Sequence, residues 1–252
     1  MSNIQKIGNP ARQSNNLLFK RRSILKTLSL AALLPVGLGA YPSGIVIAAD
    51  GVPLPENVMT PDAALKRLLD GNKRYVSGKI SVRDFNVNRA ILAKGQNPYA
   101  CILSCADSRV APELCFDESR GDLFVTRLAG NYASLDILAS LEYGTAVLKA
   151  PLIMVLGHTD CGAIKAGMKA DKENVDFPGH IQTITSELKS AVKEGVKLPG
   201  NATDNVAKEN VRLNVAKLKE STPILRQLVA DKKLMVVGGL YHLDTGKVEL
   251  LT

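Results

Sequence analysis

The chain predicts an α/β fold: a mainly parallel sheet with right-handed helical crossovers and one antiparallel C-terminal edge strand. Three observations carry that reading. Short apolar runs, each long enough for one buried strand, alternate with longer stretches whose apolar residues recur at helical spacing. Strands joined through a helix pair in parallel, with crossovers of the right-handed kind. The last two apolar runs are separated only by the turn Asp244-Thr245-Gly246, which fits a hairpin.

The elements follow in order. Thr60 caps a helix that opens with Pro61 and runs to about Tyr75. Asn97-Pro98 breaks the chain, and residues 99–104 form a buried strand. Residues 123–126 are a second strand and 134–148 a helix. Residues 152–156 are a third strand, closed by Gly157. Asp160 caps a helix that runs on through Cys161. Further helices cover 181–193, 207–219 and 223–230, and strands cover 234–238 and 247–251. The 200 or so residues after the N-terminal segment suffice for one domain with a sizeable core. With 4% aromatic residues and no Trp, that core rests on Leu, Val, Ile and Ala.

The first 49 residues read differently. Lys20-Arg21-Arg22-Ser23-Ile24-Leu25-Lys26 resembles a twin-arginine export signal, and residues 27–49 carry no charge before the small pair Ala48-Ala49. An uncharged run of about 20 residues also suits a membrane anchor, but Pro35, Pro42 and the glycines favour a cleaved signal. Either way residues 50–252 are expected outside the cytoplasm, in a periplasm. The whole chain carries a formal charge of +8. Its N-terminal 49 residues hold Lys6, Arg12, Lys20, Arg21, Arg22 and Lys26 and no acid, which leaves 26 basic against 24 acidic side chains beyond them. No basic stripe remains to bind nucleic acid, and membrane contact is confined to the export segment.

Chemistry concentrates in two segments, Cys105-Ala106-Asp107-Ser108-Arg109 and His158-Thr159-Asp160-Cys161. They offer two thiolates and one imidazole, ligands that Zn²⁺ prefers, and three ligands with an open fourth position describe a catalytic rather than a structural zinc site. Cys105 and His158 each fall at the carboxyl end of a strand, where open α/β sheets place their ligands. Cys161 stands in the first turn of a helix, whose dipole favours the thiolate. Zinc lowers the pKa of water from about 15.7 to about 7. Asp107 can accept a hydrogen bond from such a water, and Arg109 can hold that carboxylate by a charge-assisted fork. Four cysteines, two of them committed to metal, make no disulfide framework. Cys101 and Cys115 lie in apolar runs and read as core thiols, while His180 and His242 read as surface or loop residues.

Cys-Ala-Asp-Ser-Arg-Val (105–110) with Gly-His-Thr-Asp-Cys-Gly-Ala (157–163) resembles the β-class carbonic anhydrases, and the likeness extends over most of the chain after residue 60. Gly71-Asn72-Lys73-Arg74-Tyr75, the run from Asp122 to Asn131, Glu209-Asn210-Val211, Gly239-Leu240-Tyr241 and Asp244–Val248 are similar to family segments in the family's order. Leu128 departs from the pattern, where relatives often carry Asn. The resemblance implies reversible hydration of CO₂ to bicarbonate and a proton. It further implies zinc on Cys105, His158 and Cys161, an Asp107–Arg109 catalytic dyad, and a homodimer or higher homo-oligomer with one subunit's N-terminal helix laid over the other. In some members the aspartate swings onto zinc and closes the site. A narrow aliphatic pocket would hold CO₂, with Val110 and Ala129 as its expected lining. Two other readings remain open: hydrolysis of carbonyl sulfide or carbon disulfide on the same zinc site, and a non-catalytic zinc-binding domain. The second of these would show itself by loss of Asp107 or Arg109, and both are present.

Overall fold

In the computed structural model, residues 58–251 are described except Phe85 and Val87. The export-signal or anchor reading of residues 1–49 therefore lies outside the described residues. Among those described, no helix is long and apolar enough to cross a membrane.

The sheet has five strands, β1 (Ala100–Cys105), β2 (Leu123–Leu128), β3 (Leu152–His158), β4 (Met235–Tyr241) and β5 (Val248–Leu251), in the spatial order β2-β1-β3-β4-β5. The first four are parallel to their neighbours, and β5 pairs antiparallel with β4 through the turn at 244–246. β1 and β3 are buried along their whole length, as expected where both faces of a parallel sheet are covered. They are also adjacent, with Cys101 opposite Ile153 and Ser104 opposite Leu156. That register brings the carboxyl ends of both strands, Cys105 and His158, side by side at one end of the sheet.

Alternation along each strand sorts the core onto two faces. Ile102, Met154 and Leu156 pack with Leu68, Tyr99 and Phe116 on one side. Leu103, Ile153 and Val155 pack with Val211, Leu218 and Leu225 on the other. The first side is covered by α1 (Pro61–Val76), whose N-terminus is capped by Thr60 accepting from Ala63 N at 3.3 Å. The helix comes close: a Cβ on Gly71 would lie 1.8 Å from the Phe116 carbonyl oxygen. Next to it Asn72 donates to the carbonyls of Cys115 (2.8 Å) and Gly246 (2.9 Å) and accepts from Val248 N (2.9 Å). One amide thus ties the first helix to the last strand.

Several boundaries differ from those the sequence predicts, for local reasons. β3 runs through Gly157 to His158, because those residues still pair with Leu240 and Tyr241 of β4. The helix expected over 134–148 is α4 (Leu135–Glu142) followed by a wider π turn, Tyr143–Val147. There Gly144 lies against β1, where a Cβ would meet Cys101 Sγ at 2.5 Å, and the Thr145 hydroxyl donates to the carbonyls of Leu141 and Glu142. α7 (Ala202–Lys219) begins five residues earlier than its apolar periodicity, since Asn201 caps it through Asp204 N at 3.1 Å. Two four-residue helices, α2 (Arg89–Leu92) and α3 (Pro112–Cys115), are too short to leave a periodic signal. α5 (Gly162–Glu173), α6 (Ile181–Gly195) and α8 (Leu225–Ala230) complete the chain order. Cys101 and Cys115 are buried and free, as expected of core thiols.

Candidate metal centre

Cys105 is the last residue of β1, His158 the last of β3, and Cys161 the residue that precedes α5. Their ligand atoms all lie within 4.8 Å of one another, and all three side chains are buried. The two sulfurs are 4.0 Å apart. His158 Nδ1 lies 2.9 Å from the Thr159 carbonyl oxygen. A carbonyl only accepts, so Nδ1 carries the proton and Nε2 presents its lone pair. That Nε2 is buried with no hydrogen-bond partner. An orphaned acceptor of this kind costs about 1–3 kcal/mol, and a cation between the three atoms removes the cost.

Charge balance makes the same demand. A hydrogen bond from the Cys161 thiol, with a further one from the Gly130 amide, holds the Cys105 thiol far below its usual range despite burial. The second ionisation is opposed: the Cys105 sulfur first, then burial, push Cys161 up. The helix contribution expected from the sequence is present, in the Ala163 and Ile164 amides that favour the thiolate, but the neighbouring sulfur outweighs it. Two thiolates side by side require a positive ion. The donor set of two sulfurs and one imidazole nitrogen fits Zn²⁺ and leaves a fourth position open.

Asp107 stands beside this set, its Oδ2 3.8 Å from His158 Nε2. Arg109 grips both of its oxygens, Nε to Oδ1 at 2.9 Å and Nη2 to Oδ2 at 2.7 Å, and the Arg109 amide adds a 3.0 Å bond to Oδ1. That clasp, led by the Arg109 side chain, keeps the Asp107 carboxyl well below the usual carboxylate range. Arg109 also reaches the second segment, donating to the Asp160 carbonyl at 3.3 Å. Asp160 does not cap α5 as expected. Its backbone is left-handed (φ 54°) and its carboxylate turns to Lys165 and Arg109, so Cys161 occupies the cap position without a side-chain cap bond.

Three residues hold the centre from outside. Arg127 on β2 donates to the carbonyls of Cys105 (3.0 Å) and Asp107 (2.7 Å). The Gly130 amide donates to Cys105 Sγ at 3.4 Å. Asn210 on α7 donates to the Gly130 carbonyl at 2.8 Å. The sequence marks all three only as members of family-like segments, the run from Asp122 to Asn131 and Glu209-Asn210-Val211. The structure also places the other residues that the sequence singles out. His180 is exposed at the start of α6, and His242 pairs with Glu249 at 3.1 Å. Val110 packs into the core beside Phe116 and Cys115, and Ala129 is half-buried.

The carbonic anhydrase family model matches residues 100–248, which contain every residue named at the centre. The chain belongs to the β-class carbonic anhydrase family. Its reaction is the reversible hydration of CO₂ to bicarbonate and a proton, a lyase reaction with zinc as cofactor. A carbonic anhydrase of Mycolicibacterium smegmatis is 39% identical over 191 residues, 75% of this chain and 93% of that protein. Carbonic anhydrase 2 of Mycobacterium tuberculosis is 38% identical over 75% of this chain and 92% of its own length. Among solved structures, the Coccomyxa β-carbonic anhydrase in complex with acetazolamide superposes with a TM-score of 0.58 at 32% identity, covering 74% of this chain and 86% of that one.

Proposed function

We propose that Cys105, His158 and Cys161 hold the zinc and that Asp107 and Arg109 form the catalytic dyad of this carbonic anhydrase. The observation that carries the reading is the buried, unpartnered His158 Nε2 within 4.8 Å of two sulfurs, with the Asp107–Arg109 pair beside it. Zinc, when bound, supplies Lewis acidity that makes water a nucleophile at neutral pH. The protein's part is orientation. Arg109 keeps Asp107 ionised, so its carboxylate accepts a hydrogen bond and never competes as a donor. With both oxygens fixed by a planar fork, the carboxylate has one direction in which to accept, and it aims the attacking oxygen's lone pair at CO₂. Burial of the three ligand side chains excludes competing solvent.

The active unit is a homo-oligomer. One solved relative, from Sordaria macrospora, is a tetrameric β-carbonic anhydrase. Among the described residues β2 is an edge strand of the sheet, and Leu135, Tyr143 and Val147 expose apolar surface beside it, Tyr143 packing on Phe124 of β2 with ring centroids 6.2 Å apart. An open strand edge flanked by apolar side chains is a pairing surface. The protein is exported by its first 49 residues, which the paired Arg21-Arg22 and the uncharged run support.

The deciding experiment is stopped-flow CO₂ hydration by the zinc-loaded protein at neutral and mildly alkaline pH. Fast hydration at both establishes an open site. Activity only at the higher pH means Asp107 closes onto the metal, and none at either pH refutes the assignment of the dyad. Light scattering reads the oligomer, and fractionation of expressing cells reads export.

A further inference from the structure

Helix α7 carries three polar side chains on one stripe, Asn210, Asn214 and Lys217, none of which touches the metal ligands directly. They form a ladder on the turn that follows β2. Asn210 Nδ2 donates to the Gly130 carbonyl at 2.8 Å. Asn214 Nδ2 donates back to the Asn210 side-chain and backbone oxygens at 3.0 and 2.8 Å, and its Oδ1 accepts from Ala133 N at 2.7 Å. Lys217 Nζ donates to the Ala133 carbonyl at 2.8 Å. Both asparagines are buried, where a side-chain amide persists only if its bonds are made.

The ladder ends on the sulfur. Gly130 has a left-handed backbone, φ 86°, and with its carbonyl held by Asn210 its amide points at Cys105 Sγ, 3.4 Å away. A side chain there would be strained, and its Cβ would crowd Leu188 at 3.2 Å. The Gly130 carbonyl lies in the peptide it shares with Asn131, whose N–H is held by the Leu128 carbonyl at 3.1 Å. Losing the Asn210 bond loosens that unit, and the Gly130 Cα that carries the N–H can shift with it.

We infer that Asn210, braced by Asn214 and Lys217, is a positioning residue that fixes the Gly130 N–H on the Cys105 sulfur and thereby sets how much charge that ligand gives the metal. Outer partners of metal ligands act in this way, by orienting the ligand and altering its donor strength. A hydrogen bond to a thiolate withdraws charge from the lone pair that the metal shares. The inference rests on Cys105 being a ligand, and the test separates the two.

The full-length protein is loaded with Co²⁺ in place of zinc, and its sulfur-to-cobalt charge-transfer absorption in the near ultraviolet is recorded. Asn210→Asp is nearly isosteric and keeps the acceptor for Asn214, but loses the donor to Gly130. Its charge-transfer band is expected at longer wavelength, because a sulfur relieved of its hydrogen bond gives up charge more readily. Asn214→Ala, which loosens the brace alone, is expected to move the band the same way by less, and it serves if Asn210→Asp does not fold. Asn72→Ala is the control: it removes a buried amide of equal connectivity between α1 and β5, so it lowers thermal stability without moving the band. A band unmoved in both α7 variants overturns the inference, as does an equal shift in Asn72→Ala. A parent protein with no sulfur-to-cobalt band overturns the ligand assignment, and this inference with it.

Discussion

Arg109 closes on Asp107 as a fork, Nε and Nη2 each on a different carboxylate oxygen at 2.9 and 2.7 Å. The two residues are only two positions apart, so the turn after β1 carries the orienting carboxylate and its anchor together. Half-exposed ion pairs add little to stability, and the pair's value lies in direction. Arg109→Ala leaves Asp107 held only by the backbone amide at 3.0 Å, and Asp107→Ala removes the acceptor. Both variants are expected to keep one equivalent of zinc and to lose about a hundredfold or more in kcat, the scale of a positioned proton-handling group. Zinc analysis beside stopped-flow hydration checks this. Parent-like rates in Asp107→Ala would remove the carboxylate from the mechanism.

Metal and fold are coupled through the same three ligands. Cys161→Ser is expected to lose both zinc and activity, and a variant with stoichiometric zinc would exclude Cys161 as a ligand. For the parent, free zinc at 100 times its Kd stabilises the fold by about 2.7 kcal/mol. In a domain of this size that is roughly 5–10 °C in Tm, at about 2–4 °C per kcal/mol. Chelation followed by a thermal melt should show the drop, and readdition of zinc should reverse it. No change on chelation would mean the three side chains hold no metal in the native state.

The close approach of α1 to the core makes Gly71 intolerant. A Cβ there would lie 1.8 Å from the Phe116 carbonyl, and that atom is backbone. The helix or the 116–117 turn must move, and Asn72 and Arg74 would be pulled from their partners with it. Gly71→Ala is expected to cost about 3 kcal/mol, at the upper end for overpacking, although alanine favours helices. A denaturant midpoint equal to the parent's would show that the contact relaxes freely.

This position also shows what was legible before the structure. Gly71-Asn72-Lys73-Arg74-Tyr75 is visible in the sequence as a family-like segment, but its meaning is spatial. Gly71 admits a carbonyl, Asn72 binds backbone atoms 43 and 174 residues away, Arg74 reaches Asp117, and the hydroxyls of Tyr75 and Tyr241 meet at 3.3 Å. Periodicity located α1 and both ligand strands because each is a local pattern with burial on one or both faces. Asp160 is misread as a cap for a different reason: its left-handed backbone and the pull of Lys165, with Arg109 brought in from the first segment, turn the carboxylate away from the helix end. The ligand trio was readable because cysteine and histidine declare their chemistry by type. Arg127, Gly130 and Asn210 were not, since they act on the site only through backbone groups.

Asp117 should give the fold an acid edge. Its buried carboxylate is opposed by desolvation, yet Arg74 (2.6 Å), Ser81 (3.1 Å from N, 2.9 Å from Oγ) and Arg83 (2.7 Å) hold it well below the usual range. A lowered folded pKa means stability that is fully present above the unfolded value of about 3.9 and lost as pH falls from there toward the folded one. The parent's stability should therefore drop more steeply below about pH 4 than that of Asp117→Asn, which starts lower at neutral pH. Urea midpoints measured across that range test it. Parallel curves for the two proteins would show that Asp117 does not titrate with folding.

Arg127 offers the last test, because it holds both halves of the first segment at once. Its Nε and Nη2 take the carbonyls of Cys105 and Asp107, so the turn between ligand and dyad is closed by side-chain bonds rather than by sheet pairing, which ends at Cys105 opposite Leu128. Arg127→Ala frees the Asp107 carbonyl while leaving the Arg109 fork and all three ligands chemically intact. The expected result is retained zinc and an unchanged KM with kcat lowered about tenfold, the mark of lost orientation rather than lost binding. Arg127→Lys, a point donor without the planar fork, should recover part of that loss. If Arg127→Ala instead released zinc, the residue would be holding Cys105 itself. If kcat stayed at the parent value, the turn would keep its shape without the clamp.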